Sequence, residues 1–295
     1  MFNKKRQKYF NLALCITVIL LLSKRGVAQT QGYLHRTVDK ISEVELAISN
    51  KTAHYKPIFG EGDEESEMVK GISKYGYLTL DPEGRSELVN YGREELVYYV
   101  LEGTGILRYN DRTIPISRDD FFYVPINTDH GFINPRKDTL NIMVMGFPIP
   151  EDRKVEPTAE LQLASANDVS LQVLGQHGHG QTSRFQLLLG TRDSKRDRLA
   201  AAYQVNSLYV IEFDHGGTNI PHRHPREEEI YFVLQGSGEM VAGENQAGKP
   251  RRISVKAGDA FFFSNNTLVG FYSGTQQGEE RARILAVRSR YPDKE

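Results

Sequence analysis

"DHGGTNIPHRHPREEEIYFVLQGSG", Asp214–Gly238, places two histidines one residue apart, then a glutamate run, an apolar stretch and a Gly-x-Gly turn. Residues two apart in an extended chain point to the same side. His222 and His224 therefore share a face, and Glu229, five residues after His224, opens the next apolar run. Neutral imidazoles and a carboxylate together suit borderline divalent cations such as Fe, Mn, Zn, Ni or Cu. The plain alternative is a solvated charged loop in front of a strand. What surrounds the stretch decides between the two.

The end of the stretch is repeated. "YFVLQGSG", Tyr231–Gly238, matches "YYVLEGTG", Tyr98–Gly105, and "GDAFFFSNNTLVGFYS", Gly258–Ser273, matches "DDFFYVPINTDHGFIN", Asp119–Asn134, in the same order. The second copy carries six extra residues, which the loop "AGENQAGKP", Ala242–Pro250, can hold. Two matches in one order indicate a duplicated unit. Around both copies run short segments rich in aromatic and β-branched residues: "LVYYVL", "DFFYVP", "NIMVMGF", "SLYVIEF", "EIYFVL" and "DAFFFS". Gly, Pro, Asn and Asp separate them, as in all-β sandwiches and barrels. Helical spacing is scarce, and Arg36–Asn50 is the one stretch predicted as a short N-terminal helix, with Val38, Ile41, Val44, Leu46 and Ile48 as its apolar face. The predicted organisation is a first barrel over 29–150, a proline-rich charged linker over 151–165 and a second barrel over 166–295.

Glycine, five residues, His-x-His, a short gap, Glu, six residues, Gly: this series resembles the first motif of the cupin superfamily, and the duplication resembles a bicupin, two tandem double-stranded β-helix (jelly-roll) barrels. The resemblance spans both halves, with the ligand motif intact only in the second. It implies one divalent transition metal held by His222, His224 and Glu229; counting back from Gly236 selects Glu229 over Glu227 and Glu228. The cupin second motif supplies a fourth ligand, a histidine. Here the alignment places Val269 where the first copy has His130, so the second barrel is one histidine short. Asn265, Asn266 and Tyr272 are the nearby residues that could fill the gap. Two histidines and a carboxylate with open positions also resemble the facial set of non-haem Fe(II) oxygenases.

The first copy shows the opposite loss. It keeps His130 but has Val89, Tyr91 and Leu96 at the positions of His222, His224 and Glu229, while Glu95 is one residue out of phase and faces the other side of its strand. His130 is accordingly read as a structural or pocket histidine. His177 and His179, in "GQHGHGQ", have no neighbouring carboxylate and read as a solvated loop; His215 reads as exposed or supporting. Tyr231, Phe261, Phe263 and Phe271 are expected in the core.

The amino terminus differs from the rest. "MFNKKRQKYFNLALCITVILLLSKRGVAQT" has a basic start, an apolar run over Leu12–Leu22 and small residues at Gly26–Ala28. That is the layout of a secretory signal over 1–28, and about 11 apolar residues fall short of the roughly 20 a spanning helix needs. Export to the periplasm or exterior is expected, with no membrane contact after cleavage. Cys15, the sole cysteine, lies in that run, so the remainder has neither disulfide nor thiolate chemistry. Without residues 1–28 the chain has 31 basic and 38 acidic residues, net −7. No basic stripe suggests a nucleic-acid partner.

The expectation for function is a metal-dependent enzyme, dioxygenase-like, acting on a small organic substrate. The alternative is a non-catalytic barrel that binds or senses a metal or small ligand. Cupins commonly pair, which makes a homodimer the assembly to look for. No Gly-x-Ser-x-Gly elbow, phosphate loop or cysteine nucleophile offers another route to catalysis.

Overall fold

The strand runs of the sequence are apolar at every position, not at alternate ones, and the computed structural model shows why. It describes residues 32–156, 160–174, 182–275 and 280–292. Twenty strands among them form four sheets, two per barrel. The first is β1 (Tyr33–Thr37), and the first barrel follows with β2 (Ala53–Gly60), β3 (Lys74–Leu80), β4 (Glu94–Glu102), β5 (Thr104–Tyr109), β6 (Arg112–Ser117), β7 (Asp120–Val124), β8 (His130–Ile133) and β9 (Leu140–Pro148). Next come β10 (Gln162–Ser165), β11 (Ser183–Thr191), β12 (Leu199–Ala202), β13 (Val205–Phe213), β14 (Thr218–Arg223) and β15 (Glu227–Gln235). The last five are β16 (Ser237–Glu244), β17 (Pro250–Lys256), β18 (Asp259–Phe263), β19 (Leu268–Ser273) and β20 (Arg283–Arg290).

In each barrel a large sheet faces a small one. The pairs are β10-β7-β4-β9-β3-β2 with β6-β5-β8, and β1-β18-β15-β20-β13-β11-β12 with β14-β19-β16-β17. Along β4, Leu96, Tyr98 and Val100 fill the first barrel, while Val97 and Tyr99 point outward into a core shared with Ile230, Phe232, Phe262 and Val287 of the second. Both faces of each large sheet are thus covered, which demands continuous apolar runs. Phe59 meets Phe262 across this shared core at 6.0 Å between ring centroids. Burying such a side chain contributes roughly 1.5–3 kcal/mol, so the shared core ties the barrels into one body.

The repeated glycines have a backbone reason: Gly103 and Gly236 close the turn after β4 and β15 at φ of +86° and +76°, a region costly for other residues. The six extra residues sit where expected. In the first barrel Tyr109 pairs with Arg112 across a two-residue turn, whereas in the second the ladder closes at Glu244 and Pro250 around a longer loop.

The N-terminal helix does not form. Residues 36–50 instead hold the end of β1, a single 3-10 turn over Val38–Lys40, and bridges from Val44 to Tyr55 and from Asn50 to Ala53. Pairing of β1 with β18, Tyr33 opposite Phe263 through Thr37 opposite Asp259, satisfies backbone groups that helical spacing left unassigned. β1 precedes the first barrel yet completes a sheet of the second; β10, at the end of the expected linker, pairs with β7 of the first barrel. Each covers an edge strand that would otherwise expose a row of unpaired amides. Among the described residues no helix is long and apolar enough to cross a membrane. The expected signal with Cys15, part of the linker, and His177 and His179 lie outside the described residues.

Candidate metal centre

His222 is near the end of β14, His224 follows it, and Glu229 is the third residue of β15. One face of the extended chain carries both imidazoles, and β15, starting after the Pro225 turn, brings Glu229 back to them. Ligand atoms of the three lie within 4.8 Å of one another. The imidazole rings stand nearly perpendicular, 89° apart, with centroids at 4.8 Å.

Each side chain is oriented by a second contact. His222 Nδ1–H donates to the Ile220 carbonyl at 2.7 Å, which turns Nε2 away from the strand. His224 Nδ1 faces Glu227 Oε2 at 3.2 Å, so Nε2 looks toward Glu229 Oε2 at 3.6 Å. The Tyr209 hydroxyl donates to Glu229 Oε1 at 2.5 Å, and Arg288 Nε stands 4.0 Å from that same oxygen. His224 Nε2 and Glu229 Oε2 are left buried with no hydrogen-bond partner. A facing imidazole nitrogen and carboxylate oxygen, both buried and neither hydrogen-bonded, fit a cation between them. The donor set therefore passes the test of fit for a divalent metal.

The charges agree. Burial pushes the His222 pKa down, against the opposing pull of Glu229, which favours the neutral, metal-competent imidazole. Burial would raise Glu227, but the hydrogen bonds from His224 and Asn206 and the Arg288 charge hold it at about 2, ionised under all ordinary conditions. Burial beside Glu229 raises Tyr209 well above the ordinary phenol range, so it remains a donor.

Val269 does occupy the fourth place: it pairs with His222 across β14 and β19 and is 1% exposed. Of the three residues considered for the gap, Asn266 is exposed in a turn at φ +60°, and Tyr272 lies on the outer face under the Arg252 guanidinium, 3.9 Å from its ring centroid. Asn265 lies in the same turn, half-buried. His215 is exposed. Tyr231, Phe261, Phe263 and Phe271 are core residues of the second barrel. Beside the cluster is a cavity of about 10 Å³, lined by His222, Tyr209, Asn219, Arg196 and Arg288 against an apolar wall of Phe185 and Leu187. That is room for about one water-sized group.

The sequence reading missed Tyr209, Asn219 and Arg288. The signal was available in the duplication: Tyr209 stands opposite Ala286 as Gly76 stands opposite Val144, so a glycine of one copy had become a buried phenol in the other.

In the first barrel, Val89 pairs with His130, the mirror of His222 with Val269. His130 Nδ1–H donates to the Thr128 carbonyl at 2.9 Å, and Nε2 accepts from the Tyr98 hydroxyl at 2.6 Å. Burial lowers its pKa to about 4. Both nitrogens are spent, as befits a structural histidine. Glu95 does face outward, accepting the amides of Tyr203, Gln204 and Val205 at 2.7–3.1 Å together with the Tyr123 hydroxyl. Glu228 repeats the arrangement from the other side, accepting the amides of Lys70 and Gly71 at 2.8 and 2.6 Å. Burial raises the pKa of both carboxyls, that of Glu228 to about 7, although the amide hydrogen bonds pull the other way.

Two jelly-roll barrels with a His-His-Glu cluster inside the second define a two-barrel protein of the cupin fold. The family model described as Cupin domain matches residues 76–146 and 209–288, about half of the chain, and the chain belongs to that family as a bicupin. Germin-like protein subfamily 2 member 4 of Arabidopsis thaliana is 34% identical over 86 residues, 29% of this chain and 38% of the plant protein. The chain thus spans little more than a third of that relative's length. A bacterial pirin from Escherichia coli in complex with nickel(II) superposes with a TM-score of 0.64 at 11% identity, covering 88% of this chain and 100% of its own. A mutant oxalate decarboxylase from Bacillus subtilis gives 0.64 at 12%, covering 88% and 78%. At these identities the likeness is one of fold.

Proposed function

We propose that the second barrel binds one divalent first-row metal through His222, His224 and Glu229, and that the protein is an exported metal-dependent enzyme, dioxygenase-like, acting on a small organic substrate. The carrying observation is a pair of buried atoms without a hydrogen bond, His224 Nε2 and Glu229 Oε2, facing each other at 3.6 Å. A nickel-bound protein of the same fold supports a divalent ion. When bound, such a metal would supply a Lewis-acid or redox centre for a small oxygen-bearing substrate. The chain's own residues do the rest. Glu227 holds the His224 ring, the Ile220 carbonyl holds His222, and Val269 withholds a fourth ligand. Phe185 and Leu187 form an apolar wall of the adjoining cavity. Export rests on the residue pattern of 1–28.

One observation favours the second reading, a barrel that holds a metal or small ligand without turnover: the adjoining cavity of about 10 Å³ admits no organic substrate without movement of its walls. Metal analysis of protein prepared without a histidine tag tests the common part. The expected result is about one equivalent per chain, lost in His222→Ala and Glu229→Ala and retained in His130→Ala. Equal metal in wild type and the first two variants would sink the site. Substrate-dependent oxygen uptake by loaded protein then separates enzyme from binder.

A further inference from the structure

We propose that Tyr209 is the positioning residue of the metal centre: its hydroxyl engages one oxygen of Glu229 and so presents the other, Oε2, as a single-oxygen ligand. The inference rests on the metal reading above and deepens it. Tyr209 is on β13, two strands from β15, with β20 between them, and its hydroxyl reaches Oε1 at 2.5 Å. Oε1 also faces Arg288 Nε at 4.0 Å, and the guanidinium of Arg288 lies over the Tyr209 ring at 5.6 Å. A carboxylate whose one oxygen is hydrogen-bonded to a phenol beside a guanidinium charge is hindered from turning to offer both oxygens to a cation. The free oxygen is the one that faces His224 Nε2.

A second phenol lies beside it. Tyr231 and Tyr209 both stand opposite Ala286 of β20, and the Tyr231 hydroxyl accepts from the Asn219 amide at 3.0 Å. The duplication supplies an internal control. The position of Tyr209 is held in the first barrel by Gly76, where an added Cβ would fall 2.0 Å from the Tyr55 hydroxyl, and the position of Glu229 by Leu96. The barrel without the ligand carboxylate also lacks the phenol that would aim it. Partners of this kind, hydrogen-bonded to a ligand carboxylate, change metal affinity by about 10–100-fold when removed.

The test compares wild type, Tyr209→Phe and, as a control for loss of any buried phenol, Tyr98→Phe. Each is titrated with cobalt(II) against a chromophoric chelator, and the visible spectrum of the loaded protein is recorded. Wild type and Tyr98→Phe should agree in affinity and spectrum. Tyr209→Phe should bind about 10–100-fold more weakly, with weaker visible bands because a freed Glu229 adds its second oxygen. Unchanged affinity and spectrum in Tyr209→Phe would overturn the assignment while leaving the metal site intact; failure of wild type to load would overturn the site itself. If Tyr209→Phe does not fold, the carboxylate stretches of Glu229 in wild type, assigned against Glu229→Gln, decide. A wide splitting on loading marks one-oxygen binding, and a narrow one refutes it.

Discussion

The two barrels share strand order, glycine turn and packing, yet their interiors carry opposite chemistry. Where the second has His222 facing Val269, the first has Val89 facing His130. Where the second has Glu229, Tyr209 and Arg288, the first has Leu96, Gly76 and Gly146. The first barrel closes its interior with paired groups: Tyr98 on His130, and Lys74 bound to Glu94. The second leaves two facing atoms partnerless. The first barrel also buries unpaired hydroxyls, those of Tyr55 and Tyr75, but only the second sets an imidazole nitrogen and a carboxylate oxygen face to face, and the difference lies in a handful of inward positions. Satisfied polar groups stabilise, whereas unsatisfied ones cost free energy and are retained where a ligand completes them.

The sharpest break of this comparison is Leu96→Glu, which places the second barrel's carboxylate in the first. With Gly76 in place of a phenol and the His130 imidazole already engaged by Thr128 and Tyr98, the buried charge should cost about 4 kcal/mol, read from denaturant unfolding. A cost below about 1 kcal/mol would show that the first interior tolerates a bare ligand after all.

His130 sharpens the contrast through pH. Its folded pKa of about 4 lies below the ordinary value of 6.5, so the unfolded chain takes up the proton first as pH falls. The stability it contributes is therefore present above pH 6.5 and lost on the way to pH 4. The advantage of wild type over His130→Gln should shrink across that window by up to about 3 kcal/mol. A gap independent of pH would mean the histidine titrates normally.

The barrels resemble each other again at Glu95 and Glu228, each of which grips the amides of the other barrel. Removing the acceptor leaves buried N–H groups unpaired: Glu228→Ala should cost about 2 kcal/mol, and Glu95→Ala, with a third amide, about 1 kcal/mol more. Equal costs in thermal unfolding would contradict the count of amides.

The smallest expected effect completes the set of four. Val269→His gives the second barrel the imidazole it lacks, and metal affinity should rise about tenfold, or 1.4 kcal/mol, at the expense of some apo stability from overpacking. Weaker binding would show that the valine is required for the geometry.

The duplicated turn, the aromatic strands and the His-x-His spacing made the two-barrel fold and the cluster readable from residues alone, because each is local or a simple repeat. Glu229 was separated from Glu227 and Glu228 by its distance to Gly236, and the structure gives each of the three a different partner. The helix over 36–50 was misread since its apolar spacing is compatible with a helix; pairing of its first residues with β18, more than 200 residues away, and bridges from Val44 to Tyr55 and from Asn50 to Ala53 hold the stretch extended instead. Tyr209 and Arg288 were missed as site residues because only their alignment with Gly76 and Gly146 of the other copy sets them apart. They reach Glu229 from strands distant in sequence, and a lone tyrosine or arginine in an apolar run carries no local mark.

By itself, then, the sequence determined the repeat, the all-β character and the His-x-His…Glu spacing, and its resemblance to the cupin motifs supplied the family of fold and the place of the missing fourth histidine. Tertiary structure alone decided how the barrels exchange edge strands, which carboxylate oxygen stays free and which phenol holds the other. Those depend on register between strands far apart in the chain, where a contact of a few ångströms has no counterpart in sequence distance.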